Sequence, residues 1–342
     1  MSDRQPSKHP PYYIRRAQGA DISDISKGSI AWFVKRSKNE RDYTFSGAET
    51  IERVLNQLIL MDGDNLLNAA LMLFGSRPQQ FCPSAVVKCE HYYGTEVARP
   101  IPSHQVFGGT LFQQVDDAVD FVLSKLNRSV GGRMEGPAAE VWPEIPNEAI
   151  TEIIVNAVVH RDYDSAGSVQ ITVFADRVEV VNPGGLPEQL TISDLAKPHV
   201  SIPVNPFLAR PFFLAGYINQ LGYGTQNVFK WCEEAHLPKP LFEQLNQRFG
   251  VTIWRNWLSD QRLEEFDLND RQRQAIRHLQ SHRSITNSEY QDLFGVAKRT
   301  ASKDLQYLLG LGLIEKEGTT GRGVFYRIAK GAPKGHKGHY DG

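Results

Sequence analysis

The sequence predicts a multidomain α+β protein: an α/β sandwich followed by a small helical unit that ends in a hairpin. Three observations carry that expectation. The chain has 342 residues, the length of two or three domains at about 150 residues each. From residue 147 to 254 the apolar spacing runs helix, paired strands, loop, helix, paired strands, the pattern of helices layered on an antiparallel sheet. Charge is divided unevenly, with −1 in total but +5 from Asp267 onward and −6 before it. A basic module on an acidic body hints at nucleic-acid contact that the average conceals.

The elements follow in order. The first eleven residues are polar and read as a disordered start, and Tyr12-Tyr13-Ile14 is expected to form one strand before a polar connector. Between Ala48 and Met61, Ile51, Val54, Leu55, Leu58 and Ile59 recur at helical spacing. Asp62-Gly63-Asp64-Asn65 marks a turn, 66–74 a buried helix stopped by Gly75, 85–93 a strand, and 111–126 an amphipathic helix. Gly131-Gly132 marks a boundary, with a loop running to Pro146. Asn147 is placed to cap a helix reaching His160, with Ile150, Ile153, Ile154, Ala157 and Val158 on its apolar face. Segments 168–174 and 177–182 read as strands joined by a tight Ala175-Asp176 turn. A Pro/Gly-rich stretch, 183–206, precedes one more helix after Gly224 and a hairpin of 240–245 with 249–254. Beyond the polar link 258–267, helices are expected over 270–280, 288–294 and 298–309, then strands over 313–317 and 324–328 around a glycine-rich tip. Three helices and a hairpin in about 60 residues form a winged helix-turn-helix. The Lys/His/Gly-rich tail, 331–342, is expected to be disordered.

Several classes are excluded. Apolar residues make up 41% and charged residues 23%, ordinary globular usage that argues against wholesale disorder. No run approaches the roughly eighteen apolar residues of a membrane helix. The polar start has no secretory core, so a cytoplasmic protein without a membrane partner is expected. Cys82, Cys89 and Cys232 are too few and too scattered for a disulfide framework or a zinc ribbon. No phosphate-loop motif of the G-x-x-x-x-G-K-[ST] type occurs, which excludes a P-loop helicase motor.

Glu148, Glu152, Asn156 and His160 stand at successive i,i+4 steps and form one polar stripe opposite the apolar face. Two carboxylates, an amide and an imidazole on one face suit a divalent metal and an activated water. Mg²⁺ takes oxygen ligands and usually arrives with substrate phosphates. A glutamate one turn before an asparagine is placed as general base on a water beside that metal. A lone stripe of this kind is also the ordinary look of a solvated helix face.

The run EAITEIIVNAVVHRDY, then VEVVNPGGLP and later GYGT, resembles the C-terminal ATPase-like domain of bacterial transcriptional regulators labelled RecG-like. That domain is similar to the GHKL nucleotide-binding fold of gyrase, Hsp90, MutL and histidine kinases. The resemblance implies ATP and Mg²⁺ as cofactors, with Glu152 as general base, Asn156 as Mg²⁺ ligand and His160 beside them. It implies that Asn182, Gly184 and Gly185 lie beside adenine. It also implies a second glycine box of Gly222, Gly224 and Thr225 at a helix start, where backbone N–H groups meet phosphate. The pattern departs from that of working ATPases at Val181, which stands where they carry an adenine-binding Asp. Asp176 is a substitute that also reads as a turn residue. The segment corresponding to their lid, 187–210, is proline-rich instead of glycine-rich. NPGG is also an ordinary turn, and GYGT an ordinary helix start.

PYYIRRAQG and LLNAALMLFGSRPQQFCPSAVVKCEHYYGTE resemble the middle of the same regulators. A Schlafen-type AlbA domain precedes this point in them, and only its last strand, around 12–16, is expected here. The expected domains are an AlbA remnant (1–20), an α+β connecting domain (21–130), the GHKL-like domain (131–258), the winged helix (267–330) and the basic tail (331–342). In the third helix of the winged unit, Leu305, Leu308 and Leu309 are expected to face the core. Lys298, Arg299, Thr300, Ser302 and Lys303 are then exposed where a recognition helix meets double-stranded DNA. Arg322 falls at the wing tip, suited to phosphate or the minor groove, and Lys330, Lys334 and Lys337 add salt-dependent affinity. A winged helix also serves as a protein–protein module.

The leading expectation is a DNA-binding transcriptional regulator with a nucleotide-binding GHKL-like domain and a homodimer as a candidate assembly, although no heptad run specifies one. Two alternatives stay open: a slow Mg²⁺-dependent ATPase with Glu152 as base, and a non-catalytic interaction protein of a defence-type locus.

Overall fold

The computed structural model describes residues 10–47, 50–126, 128–130, 141–197, 200, 202–218, 223–235, 237–255, 263, 266–282, 284–318 and 323–329, with backbone alone at 128–130, 141, 142, 280 and 281. Tyr12–Ile14 forms a single 3-10 turn and not the expected strand. Pro11 fixes the backbone before it, and the Ile14 N–H closes the turn on the Pro11 carbonyl. The strand-like pairing falls on Arg16 alone, in a lone bridge with Leu67. The expected polar connector contains α1 (Lys27–Arg41), capped by the Ser26 hydroxyl and burying Ile30, Phe33 and Val34. Its apolar residues end at Val34 and the next buried position on that face is Ser37, so the apolar period is too short to announce the helix. The short α2 (Ile51–Gln57), the small hairpin of β1 (Met61–Asp62) and β2 (Asn65–Leu66), the wholly buried α3 (Asn68–Phe74) and α4 (Pro78–Phe81) follow.

Two strands then begin the main sheet, β3 (Val87–His91) and the edge strand β4 (Ser103–Phe107), with α5 (Leu111–Lys125) packed against both. The three central residues of β4 are all exposed, so no alternation announced it. On either side of Gly131-Gly132, where a loop was expected, β5 (Arg128–Val130) pairs with β6 (Val141–Pro143). Next come α6 (Asn147–Val159), β7 (Val169–Val173) and β8 (Arg177–Pro183). The cap position of α6 is Pro146, and Asn147 is already the first helical residue. Inside the proline-rich stretch lies α7 (Pro206–Leu214), masked by Pro206 at its start and Pro211 within it. The unit closes with α8 (Gly224–Glu234), β9 (Leu241–Leu245) and β10 (Arg248–Trp254).

The sheet order is β4-β3-β7-β8-β10-β9. β3 and β7 run parallel and every other neighbouring pair antiparallel. The register aligns Cys89, Ile171, Val180 and Val251 in one row, all buried. The next row, Lys88, Gln170 and Val181, belongs to the opposite face, as the two-residue period requires. One buried core extends from Tyr13 to Ile253. Sheet and core therefore run straight across the boundary expected at residue 131.

A second, separate core joins Leu268, Ile276, Tyr290, Leu305, Leu308 and Tyr326, among others. It holds α9 (Asp270–Ser281), α10 (Asn287–Phe294) and α11 (Lys298–Gly310) against the pair β11 (Ile314–Glu317) and β12 (Phe325–Ile328). Reciprocal capping at Asn269 and Thr286 starts the first two helices, and Gly295, at φ 59°, ends the second. The buried Asp304 ties the unit together. It accepts from Tyr290 Oη at 3.1 Å, Arg271 Nε at 3.1 Å and Gln272 Nε2 at 3.2 Å. Among the described residues, no helix is long and apolar enough to cross a membrane.

Candidate functional site

The polar stripe of α6 divides between two openings. Glu152, Asn156 and His160 line a cavity of about 120 Å³ under the 183–206 segment. Glu148 lines instead a neighbouring chamber of about 590 Å³, with Arg36, Asp116, Asp120 and Tyr217. Glu152 forms part of both walls. Its carboxyl accepts from Asn156 Nδ2 at 2.9 Å, leaving Oδ1 of Asn156 as that amide's acceptor. Glu152 is packed so closely on the start of α8 that a Cβ built on Gly224 would lie 2.7 Å from its Cδ. Burial raises the pKa of Glu152, and the Asn156 bond offsets only part of that rise. At the end of α6, His160 Nδ1 accepts from the Val204 N–H at 3.4 Å. Burial pushes this imidazole down to about 4, so it is neutral at pH 7 and offers Nε2–H as a donor.

The first glycine run closes the far side of the cavity. Asn182 is buried at the end of β8 and lines the cavity with Val180 two residues before it. Its Nδ2 donates to the Pro183 carbonyl at 3.1 Å, so its Oδ1 is left as an acceptor. Val181, which stands where working ATPases carry an adenine-binding Asp, lies on the opposite face of the sheet. Strand alternation puts Asn182, one residue on, at the cavity wall. Asp176 is occupied at the hairpin turn by Arg177, whose Nη1 donates to it at 2.9 Å. Gly184 is a turn residue at φ +109°, with Asp162 N 3.2 Å from any Cβ added there; it does not line the cavity. Gly185 does line it. The sequence did not point to Gln244 on β9, which holds this turn in place. It accepts from the Leu186 N–H at 3.0 Å and donates to the Arg248 carbonyl at 3.1 Å.

Gly224 and Thr225 line the same cavity, and the Thr225 hydroxyl donates to the Leu195 carbonyl at 3.0 Å. Gly222 lies outside the described residues. Leu186, Leu190, Leu195, Ile202 and Val204 from the 183–206 segment, with Val228, Phe242 and Val251 opposite, make the walls mostly apolar. Asn205, also not foreseen, anchors that segment. Its Nδ2 donates to the Val159 and Arg161 carbonyls, both at 2.8 Å, satisfying oxygens that the end of α6 leaves open. Arg161 of the HRDY run is buried, donating to Gly167 O at 2.7 Å and Ser84 Oγ at 3.0 Å.

These residues fit the parts of ATP and Mg²⁺ unequally. A nucleobase finds an acceptor in Asn182 and apolar faces on either side. A Mg²⁺ ion finds one oxygen in Asn156, and Mg²⁺ often takes one or two protein ligands with phosphate and water. Among the described residues, no group of three His, Cys, Asp or Glu side chains is disposed to hold a metal alone. No Lys or Arg is among the described residues that line the cavity, so a polyphosphate chain finds no cationic side chain there.

On the C-terminal unit, Lys298, Arg299 and Lys303 are exposed along the first turns of α11, while Thr300 and Ser302 are half-buried. Ser302 Oγ accepts from Asn287 Nδ2 at 3.1 Å, a bond to α10 that leaves its O–H as a donor. Leu305 and Leu308 are fully buried, and Leu309 packs partly buried against the same core. Arg322, Lys330, Lys334 and Lys337 lie outside the described residues.

Residues 167–253 match the HATPase_c_4 family model, described as "Putative ATP-dependent DNA helicase recG C-terminal". The chain thus carries an ATPase-like domain there. The match includes Asn182, Gly184, Gly185, Gly224 and Thr225, and begins after α6 with Glu152, Asn156 and His160. No curated protein matches the chain. Among solved structures it is similar in fold to the DIP2311 protein of Corynebacterium diphtheriae, with a TM-score of 0.56 and 18% identity over 94% of this chain. The match spans 65% of that protein's length.

Proposed function

We propose that the protein is a cytoplasmic, DNA-binding transcriptional regulator. In this reading its ATPase-like domain binds a nucleotide through the base, and its C-terminal unit, read as a winged helix-turn-helix, docks on double-stranded DNA. The observation that carries the nucleotide half is the convergence of Glu152, Asn156, His160, Asn182, Gly185, Gly224 and Thr225 on one cavity. The exocyclic amine of adenine donates to Asn182 Oδ1. Were ATP and Mg²⁺ bound, Asn156 would hold the metal, which would supply charge neutralisation to the phosphates, and Glu152 would serve as the base for a water. The DNA half is supported by the exposed Lys298, Arg299 and Lys303 on a helix whose opposite face is buried. In this reading a ligand held against the segment anchored at Val204 and Asn205 shifts the population of domain arrangements that bind DNA.

Fluorescence anisotropy with duplex DNA across a salt series, with and without nucleotide, tests the proposal. Lys298→Ala/Arg299→Ala is expected to weaken binding on all sequences and to lower the salt slope by about 2, close to one unit per phosphate contact. Absence of DNA binding at low salt overturns the regulator reading in favour of the interaction protein. Phosphate release from ATP that Glu152→Ala abolishes supports the enzyme reading instead.

A further inference from the structure

We propose that the cavity selects an uncharged, amino-bearing heterocycle of the purine base or nucleoside class over its phosphorylated forms. This rests on the nucleotide-site reading above and narrows it, because the residues present serve the base and neglect the phosphates.

Four observations lead there. First, no Lys or Arg is among the described residues lining the cavity. The whole stretch 183–225 holds two cationic side chains in its sequence, Lys197 and Arg210. Neither is among the lining residues, and Arg210 reaches to Tyr43 Oη at 3.5 Å. Second, Glu152 is the one Asp, Glu, Lys or Arg side chain among the described residues lining the cavity, and Ile153, Val180, Leu186, Leu195 and Val228 make the walls mostly apolar. Such walls leave the charge of a phosphorylated ligand without compensation.

Third, the polar atoms match a neutral amino-heterocycle. Asn182 offers an acceptor and His160 a donor, while the Thr225 hydroxyl is spent on Leu195. The cavity, about 120 Å³ between apolar walls, suits one flat ring system. Fourth, a phosphate chain leaving past Glu152 would enter the neighbouring chamber, where Asp116, Asp120 and Glu148 stand. Arg36, its cation, is turned over the Tyr217 ring at 5.1 Å and donates to the Ala215 carbonyl.

The test is calorimetric titration of the full chain near neutral pH with adenosine, AMP, ADP and a non-hydrolysable ATP analogue, each with and without Mg²⁺. Adenosine is expected to bind tightest, each phosphate to weaken binding, and the analogue to bind about tenfold or more weakly than adenosine. Val204→Lys puts an ammonium at the cavity rim, on a residue already 36% exposed. It is expected to narrow the gap between adenosine and the analogue, both measured on that variant, to less than about twofold. Asn182→Ala is expected to weaken all four ligands together. An Mg²⁺-bound analogue that matches or exceeds adenosine overturns this proposal and leaves the nucleotide-site reading standing. Failure of all four to bind a chain that melts cooperatively overturns both.

Discussion

Gly224 is the residue whose replacement reports most directly on the packing of the site. It opens α8, so an alanine suits its backbone, and Gly→Ala at a compatible position stabilises a protein by about 0.4–1 kcal/mol through the unfolded chain. Against that, the new Cβ would fall 2.7 Å from Glu152 Cδ and closer still to Oε1. The carboxyl would have to swing away from Asn156 within a buried setting, and overpacking of this kind costs about 1–3 kcal/mol. The two effects oppose, so Gly224→Ala is expected to destabilise by roughly 0–2.5 kcal/mol, the difference of those ranges. Removing the obstacle reverses the sign: in a Glu152→Ala background the same change is expected to stabilise by about 0.4–1 kcal/mol. The coupling, about 1–3 kcal/mol, is read from urea unfolding of the four proteins of the cycle. Additive effects, within about 0.3–0.5 kcal/mol, would refute the claim that Glu152 occupies the space in front of α8.

Two further expectations concern charge and burial. His160 has a folded pKa of about 4, below the ordinary value near 6.5, so the unfolded chain takes up the proton first. Stability present above pH 6.5 is therefore lost as pH falls toward 4, by up to about 3 kcal/mol. Melting curves of the wild type and His160→Asn should converge or cross over that window, and parallel curves would show that the imidazole is not held neutral. Asp304→Ala strips the buried Tyr290 hydroxyl and Gln272 amide of their acceptor, at a cost of about 3 kcal/mol. The C-terminal unit should then become protease-sensitive while the larger unit keeps its own cooperative melting. A protease-resistant variant would mean that the helices do not depend on this hub.

Much of the architecture was legible because apolar spacing is a direct print of burial. The alternating runs at 168–174 and 177–182 and the stripe at Ile150, Ile153, Ile154 and Ala157 left little choice of element. What stayed hidden has physical causes. The buried face of α1 is short and ends in a serine, with Ile30, Phe33, Val34 and Ser37 its buried residues, β4 is an edge strand with solvent-exposed side chains, and α7 starts and continues through prolines. In the site, Glu152, Asn156 and His160 could be read because a single helix presents them. Gln244 and Asn205 could not, since they act on backbone atoms of distant segments and no local pattern marks such a partner. Val181 illustrates a finer point. The motif aligned it with the adenine-binding Asp of working ATPases, while the two-residue period of the strand turns Val181 away from the cavity and Asn182 toward it.

The β3–β7 pairing has a bearing on how this protein can be divided. The family match starts near β7, and a fragment cut there would shed both the strand bonded to its outer edge and the helix beneath it. The row of backbone donors and acceptors so bared is the kind that recruits foreign strands and aggregates. The cavity would simultaneously lose one of its walls, along with Glu152, Asn156 and His160. The unit that holds together is thus the span from about residue 10 to 255, and any transplant of the ATPase-like domain has to carry with it the nearly half of the chain that precedes the family match.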